Sequence, residues 1–184
     1  MPTLDRLRES LRSAPVVDID GYDYMVHPVT DGIPRVEPAL LREVARGVAE
    51  VATLADVDYL VTPEAMGIHH ATALSLETDL PFTVVRKRRY GLDDEVAVHQ
   101  TTGYGESDLY LNGVETGDRV VVVDDMFSTG GTLAAVCDAL GTAGADVVDV
   151  VTVLRRGDGD PDLPVEPKSL LRVAVEDGRV VIEE

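Results

Sequence analysis

The sequence contains very little cysteine, no tryptophan and no long apolar run. Cys137 is the single cysteine among 184 residues, which excludes an internal disulfide and a metal site built from several cysteines. No apolar stretch approaches the ~20 residues that a membrane-spanning helix needs. Residues 1–13 mix charged residues with leucine and lack the apolar block of a signal peptide. We therefore expect a cytoplasmic protein that has no membrane as a partner.

Positive charge is also scarce, and lysine is the scarcest cation. Asp and Glu number 34 against 16 Lys and Arg, so the net charge is −18, and Lys87 and Lys168 are the two lysines. Because such a charge repels polyanions, we expect no nucleic-acid partner. Carboxylate excess with few lysines is typical of a halophilic protein, since a Debye length of ~3 Å in ~1 M salt screens the self-repulsion. An ordinary acidic protein is the alternative interpretation.

Apolar residues alternate between helical and strand-like patterns along most of the chain. Helical spacing covers residues 40–52 after Pro38, 68–76 and 133–140, and strand-like runs cover residues 58–61, 82–85, 96–99, 119–123 and 147–154. Two further runs, 171–175 and 180–182, flank Asp177-Gly178, which is a hairpin signal. This alternation predicts an α/β fold with a mainly parallel sheet flanked by helices. With 45% hydrophobic residues, the chain fits a single domain, residues 1–184.

The most informative segment is VVVVDDMFSTGGT, residues 120–132. A strand buried on both faces carries Asp124 and Asp125 to its carboxyl end, where open α/β sheets bind ligands. The next residues, Ser128, Thr129, Gly130, Gly131 and Thr132, open a helix whose backbone N–H groups and hydroxyls suit a phosphate. Two carboxylates beside a phosphate site fit a ligand that has a phosphate at one end and a ribose diol at the other. A P-loop would need a lysine at the helix start, and none is present.

A cationic cluster follows another predicted strand. Arg86, Lys87, Arg88 and Arg89 come directly after residues 82–85, so they are expected at the same edge of the sheet as Asp124. Guanidinium groups match phosphate oxygens bidentately, which favours a diphosphate clamp. A basic surface patch that pairs with the acidic surface is the alternative.

A third turn, Thr62-Pro63-Glu64-Ala65-Met66-Gly67, joins a predicted strand to a helix. Its strand–turn–helix junction again presents backbone N–H groups to an anion. A plain helix start is the alternative interpretation.

The thirteen residues 120–132 resemble the phosphoribosyl pyrophosphate signature of the type I phosphoribosyltransferases. With the GDRVVVVDD junction and the RKRRYG run, residues 21–154 are similar to purine phosphoribosyltransferases, in particular to the archaeal hypoxanthine/guanine type, whose signature is shared with adenine enzymes. The resemblance implies that Asp124 and Asp125 hold the ribose hydroxyls, with a Mg²⁺ ion nearby. It also implies that residues 128–132 bind the 5′-phosphate. It also implies that Arg86, Lys87 and Arg88 meet the pyrophosphate. Glu64, Ala65, Met66 and Gly67 then form a pyrophosphate loop that commonly holds a cis non-proline peptide.

The resemblance further implies a core of about residues 38–155, with a small hood or peripheral elements from about residues 13–37 and 160–184. Tyr24 and Tyr104 are the candidate base-binding aromatics, and packing of the N-terminal aromatics into the core is the alternative for Tyr24. The partners implied are phosphoribosyl pyrophosphate, a purine base and a second copy of the chain in a homodimer.

The chain lacks the carboxylate that adenine enzymes or hypoxanthine/guanine enzymes place beside the base to handle its proton. Adenine enzymes place a Glu before a Tyr-Gly pair, where this chain has Gly103, and many hypoxanthine/guanine enzymes place an Asp where it has Ser128. Glu106 or Asp108 are possible substitutes. The expected activity is transfer of ribose 5-phosphate to hypoxanthine or guanine, with adenine also possible. A non-catalytic regulator that senses phosphoribosyl pyrophosphate or a purine is the alternative, and an orotate or pyrimidine transferase is a third.

Overall fold

In the computed structural model, residues 3–102, 105–160 and 162–183 are described. The helices are α1 (Asp5–Arg12), α2 (Pro28–Asp31), α3 (Pro38–Val51), α4 (Gly67–Thr78) and α5 (Gly131–Ala143). The strands are β1 (Val16–Ile19), β2 (Tyr22–Met25), β3 (Tyr59–Pro63), β4 (Phe82–Val85), β5 (Val96–Thr102), β6 (Gly105–Leu111), β7 (Arg119–Phe127), β8 (Asp146–Arg156), β9 (Lys168–Glu176) and β10 (Arg179–Glu183).

A six-stranded sheet in the order β10-β9-β8-β7-β3-β4 forms the centre of the molecule. All neighbouring strands in it are parallel except β10, which runs antiparallel to β9 at one edge. The central strand β7 is buried on both faces, since residues 120–123 have no exposed surface. The prediction of a mainly parallel sheet flanked by helices is confirmed, because a run of β-branched residues suits a strand covered on both sides.

Two apolar cores cover the two faces of this sheet. One packs α1, α3 and α4 through side chains such as Leu7, Val44 and Leu74. The other packs α5 and β6 through side chains such as Val136 and Leu109. With helices on both faces, the carboxyl ends of β4, β3, β7 and β8 remain at a common edge, where ligands bind in open α/β folds.

The predicted helices at 40–52, 68–76 and 133–140 are confirmed in α3, α4 and α5, and the strand predicted at 96–99 is part of β5. β5 pairs with β6 in a separate two-stranded sheet, a pairing that the sequence analysis did not predict. The hairpin around Asp177-Gly178 is also confirmed, with Val180 opposite Val175.

Residues 160–184, predicted as a hood or peripheral elements, contain the strands at one edge of the central sheet. Residues 168–183 form β9 and β10, which extend the central sheet. Leu171 and Val173 are 5% and 1% exposed in the core beneath α1 and α3, and this apolar face holds the segment in the sheet. Residues 13–37 contain the β1–β2 hairpin and α2. None of the helices in the described ranges is long and apolar enough to cross a membrane.

Candidate active site at the carboxyl edge of the sheet

Two carboxylates lie at the carboxyl end of β7. Asp124 is 7% exposed, and its Oδ1 accepts a hydrogen bond of 2.9 Å from the backbone N–H of Asp125. Burial raises the pKa of Asp124 well above its usual range, and the negative charge of Asp125 raises it further. Burial also raises the pKa of Asp125 to about 6. The pair is therefore costly to ionise as it stands, and a cation or a hydroxyl donor beside it would reduce that cost.

The segment after these carboxylates is shaped for an anion. Ser128 and Thr129 are exposed, and Gly130 adopts a left-handed conformation at φ +80° that favours glycine. Gly130 is the N-cap of α5, and no described side chain caps that helix. The first N–H groups of α5, from Gly131 and Thr132 onwards, have no partner within the helix. Residues 128–132 thus have the backbone conformation that the predicted phosphate site requires, at the positive end of a helix. We call these five residues the phosphate loop.

A second uncapped helix begins beside the first, in the neighbouring strand connection. The Glu64–Ala65 peptide bond is cis, as the family resemblance implies for this loop. Met66 is the N-cap of α4 and makes no side-chain capping bond. A Cβ placed on Gly67 would overlap Thr62 Oγ1 and lie 2.9 Å from Asp124 Oδ1. The backbone of residue 67 therefore packs directly against the carboxylate of Asp124.

The cationic cluster is only partly available to a ligand. Arg86 Nε lies 2.5 Å from Glu64 Oε2, so Arg86 forms an ion pair with the connection between β3 and α4, which we call the second loop. Arg89 Nε lies 3.3 Å from Glu95 Oε1, and Glu95 also accepts hydrogen bonds from backbone N–H groups of the same turn. Both Lys87 and Arg88 are exposed. Two members of the cluster thus pair with carboxylates, as the surface-patch alternative predicts, while the diphosphate clamp stays a prediction.

The N-terminal segment crosses the same edge of the sheet. The Tyr24 hydroxyl donates a hydrogen bond of 2.8 Å to Asp31 Oδ1, and the Asp31 charge is close enough to raise the pKa of Asp125. A Cβ on Gly32 would lie 3.8 Å from Met66 Cε, so the end of α2 reaches the second loop. The half-buried Tyr24 is therefore connected to the carboxylate edge through Asp31.

Tyr104 lies outside the described residues, as does Gly103. Asp31 was not predicted from the sequence, since its approach to Asp125 depends on where α2 packs and no motif marks it. Gly159 was not predicted either, and it packs against the phosphate loop from the connection after β8. A glycine-rich turn at the carboxyl end of a parallel strand was the available signal for Gly159, because β7 and β8 end at the same edge.

Comparisons with known proteins agree with this geometry. The sequence profile of the phosphoribosyl transferase domain matches residues 37–172. The chain belongs to the phosphoribosyltransferase family. It is 61% identical to HGPRTase-like protein 3 of Haloterrigena turkmenica over 184 residues, which is 100% of this chain and 99% of the relative. It is 55% identical to HGPRTase-like protein 2 of Haloferax volcanii over 181 residues, 97% of this chain and 99% of that protein.

Solved structures are similar to this phosphoribosyltransferase in fold. An adenine phosphoribosyltransferase from Thermoanaerobacter pseudethanolicus superposes with a TM-score of 0.75 at 22% identity, covering 92% of this chain and 99% of that one. One from Rhodothermus marinus gives a TM-score of 0.73 at 25% identity, covering 89% and 97%. The family and the fold that the signature resembles are both confirmed.

Proposed function

We propose that this phosphoribosyltransferase acts in purine salvage, transferring ribose 5-phosphate from phosphoribosyl pyrophosphate to a purine base with release of pyrophosphate. The observation that carries the proposal is the position of Asp124 and Asp125 near the carboxyl end of β7, with the start of α4 packed against Asp124 and the uncapped start of α5 following a few residues along the chain. A ligand with an anionic group at each end and a diol between them matches this arrangement. The names of the relatives support the purine class, since they are HGPRTase-like proteins and adenine phosphoribosyltransferases.

The donor would bind through the two loops and the carboxylate pair. The 5′-phosphate accepts hydrogen bonds from the backbone N–H groups and hydroxyls of residues 128–132, where the helix dipole favours negative charge. Asp124 and Asp125 accept hydrogen bonds from the ribose 2′- and 3′-hydroxyls. The diphosphate lies against residues 64–67 at the start of α4.

The chemistry that these residues support is separation of charge. As the bond between C1 and the diphosphate oxygen breaks, positive charge develops on the sugar and negative charge on the leaving group. Arg86, Lys87 and Arg88 stabilise the leaving group through electrostatics that are already in place before the reaction. The carboxylates of Asp124 and Asp125 face the developing positive charge.

A Mg²⁺ ion fits the chemistry of this site. Asp124 and Asp125 are two oxygen donors with raised pKa values, and no group of three or more ligands is found among the described residues. That set suits Mg²⁺, which keeps several waters and binds through few carboxylates together with substrate oxygens. When bound, the ion would neutralise charge on the leaving diphosphate.

The base would lie under the N-terminal segment. Tyr24 offers a ring for stacking, which is worth about 1–3 kcal/mol per base in single-strand binding. Hypoxanthine or guanine is the preferred base in this proposal, with adenine next. The proton on the base has no assigned acceptor, since Gly103 and Ser128 replace the family carboxylates. Asp108 is exposed, and both Asp108 and Glu106 stay candidates for that role.

The cellular setting belongs to the same proposal. We place the enzyme in the cytoplasm, as a homodimer adapted to concentrated salt, with neither nucleic acid nor membrane as a partner. The charge of −18 supports salt adaptation. Raising KCl from ~0.1 to ~2 M is expected to increase both the melting temperature and the activity, and a protein that lost activity in molar KCl would contradict it.

One assay tests the proposed function. Phosphoribosyl pyrophosphate and Mg²⁺ are incubated with hypoxanthine, guanine, adenine, xanthine and uracil in turn, in molar KCl, and nucleoside monophosphate is measured by chromatography. Turnover with a purine is expected. Tight binding of the donor without turnover on any base would favour the non-catalytic regulator, and turnover on uracil alone would favour a pyrimidine enzyme.

A further inference from the structure

A short connection after β8, residues 157–159, packs directly on the phosphate loop. A Cβ on Gly159 would overlap the carbonyl oxygen of Ser128 and lie 2.9 Å from the Cα of Thr129. The two backbones therefore touch without an intervening side chain. We call residues 157–159 the strap.

One arginine connects the strap to the root of the phosphate loop. Arg155 Nη2 donates a hydrogen bond of 3.0 Å to the carbonyl oxygen of Gly159. The guanidinium carbon of Arg155 lies 4.6 Å from the ring centroid of Phe127, a cation–π distance. Phe127 is fully buried and directly precedes Ser128. Arg155 thus contacts both Phe127, which directly precedes the phosphate loop, and the strap, which packs on that loop.

A second arginine holds the other end of the strap. Arg172 Nη2 donates a hydrogen bond of 3.3 Å to the carbonyl oxygen of Gly157 and forms an ion pair with Asp158. Its Nε lies 2.6 Å from Glu183 Oε2 on the neighbouring strand. Arg172 is therefore oriented from β10 while it contacts the strap.

These side chains form one row across four strands. In the sheet register Phe127 of β7 is opposite Arg155 of β8, Arg155 is opposite Arg172 of β9, and Arg172 is opposite Glu183 of β10. The row passes through the carboxyl ends of β7 and β8 and the middle of β9, so strand pairing sets the spacing between the two arginines. The strap is attached to the rigid sheet at both of its ends.

We propose that Arg155 and Arg172 are positioning residues for the 5′-phosphate, which hold the strap against Ser128 and Thr129 and so fix the shape of the phosphate loop. The inference rests on the proposed function, because that function assigns the 5′-phosphate to this loop. A loop that contains Gly130 and Gly131 has many accessible conformations when free. Holding it in the binding conformation lowers the ordering cost that phosphate binding would otherwise carry. Neither arginine needs to touch the ligand.

The test measures binding to the two anion sites separately. Ribose 5-phosphate and inorganic pyrophosphate are titrated calorimetrically into the wild-type chain and into the Arg155→Gln, Arg172→Gln and Gly159→Ala variants, in molar KCl. We expect the Kd for ribose 5-phosphate to rise about tenfold, which corresponds to about 1.4 kcal/mol. The Kd for pyrophosphate should stay within about twofold. In turnover, the KM for phosphoribosyl pyrophosphate should rise while kcat changes less than about twofold, since the interaction lost is made in the ground state too.

Matched controls are available in the same chain. Arg119 pairs with Asp146 at 2.8 Å between the amino ends of β7 and β8, so Arg119→Gln removes a comparable arginine at the opposite edge. A Cβ on Gly141 of α5 would meet nothing within 4 Å, so Gly141→Ala is the control for Gly159→Ala. Both controls should bind ribose 5-phosphate as the wild type does. Arg172→Lys keeps the charge beside Asp158 and should recover part of the affinity.

The results separate this inference from the proposed function. If the wild type binds ribose 5-phosphate but turns over no base, the proposed enzyme is wrong, and the variants still test the strap through binding. If the wild type is active and both arginine variants bind ribose 5-phosphate within twofold of it, the strap has no positioning role. Equal weakening for pyrophosphate and ribose 5-phosphate would also overturn the inference, because it would indicate general damage to the fold. If Gly159→Ala does not fold, the two arginine variants decide the matter.

Discussion

Gly67 and Asp124 are in direct contact across two neighbouring strand connections, with the position of a Cβ on residue 67 only 2.9 Å from Asp124 Oδ1. The contact places the start of α4 against a carboxylate near the carboxyl end of β7. Since β3 and β7 pair in parallel, with Val61 opposite Val122, the sheet register holds the two loops together. The spacing between the two expected anion sites therefore depends on a residue without a side chain.

A methyl group at this contact should damage the site. In Gly67→Ala the new Cβ overlaps Thr62 Oγ1, a buried atom, so the loop or the carboxylate must move. We expect kcat/KM to fall at least tenfold and the free energy of unfolding to fall by about 1–3 kcal/mol, the usual cost of overpacking. Steady-state kinetics and chemical denaturation measure the two effects. Gly141→Ala, which adds its methyl group in open space, should change neither quantity to that extent.

Removing one charge of the carboxylate pair should separate activity from stability. Asp125→Asn keeps the shape of the side chain but removes the charge that faces the sugar, so turnover should fall by an order of magnitude or more. Because burial raises the pKa of Asp125 to about 6, above its unfolded value of 3.8, its ionisation opposes folding at pH 7. The variant should therefore unfold at equal or higher denaturant concentration. Asp138→Asn, at an exposed position on α5, is the control, and near-normal turnover of Asp125→Asn would refute the role of the pair.

Glu64 should compete with the diphosphate for the guanidinium group of Arg86. Their ion pair, at 2.5 Å, occupies the guanidinium that a diphosphate would bind. We expect Glu64→Gln to increase the affinity for pyrophosphate about threefold in the absence of metal, a small effect because Arg86 is 44% exposed and solvent screens the pair. Arg86→Gln should lower that affinity. The matched control is Glu37→Gln, which breaks an exposed pair with Arg35, and weaker pyrophosphate binding by Glu64→Gln would instead assign the carboxylate a direct role in ligand binding.

The stability of the N-terminal segment should depend on pH through His27. This side chain is fully buried, its Nδ1 accepts a hydrogen bond from Val29 N, and burial lowers its pKa from 6.5 to about 4, although Asp31 opposes the shift. A lowered pKa in the folded state gives stability that is present above pH 6.5 and is lost as pH falls towards 4. One proton contributes at most about 1.4 kcal/mol per pH unit in that window.

The measurement is urea unfolding at a series of pH values in molar KCl. His27→Asn keeps an acceptor that can cap α2 but does not titrate, so its stability should fall less steeply between pH 6.5 and 4. Burial lowers the pKa of His70 as well, to about 3, so some dependence remains in the variant. Equal slopes for the variant and the wild type would show that His27 does not carry the effect.

The parts of the site that lie within one stretch of chain were predictable. Residues 120–132 contain a buried strand, two carboxylates, a glycine turn and a helix start in direct succession, so their geometry follows from local preferences. The cluster at Arg86–Arg89 was placed at the correct edge for the same reason, since it follows β4. Its pairing was not predictable, because Glu64 reaches Arg86 only where β3 and β4 lie side by side.

The relations between distant segments were not predictable. Asp31 approaches Asp125 because α2 packs at the end of β7, and Gly159 reaches Ser128 because β7 and β8 are neighbours. The C-terminal strands were recognised as a hairpin but assigned to the periphery. Alternation of apolar residues identifies a strand and its buried face, and it does not specify which sheet the strand joins.

The sequence alone determined the family and the α/β alternation and predicted the phosphate loop, because each depends on residues that are adjacent in the chain or on a regular period. The tertiary structure decided how the pieces meet: the contact of Gly67 with Asp124, the ion pair of Arg86 with Glu64 and the attachment of the strap by Arg155 and Arg172. These contacts depend on strand order and register, which arise from the packing of the whole sheet.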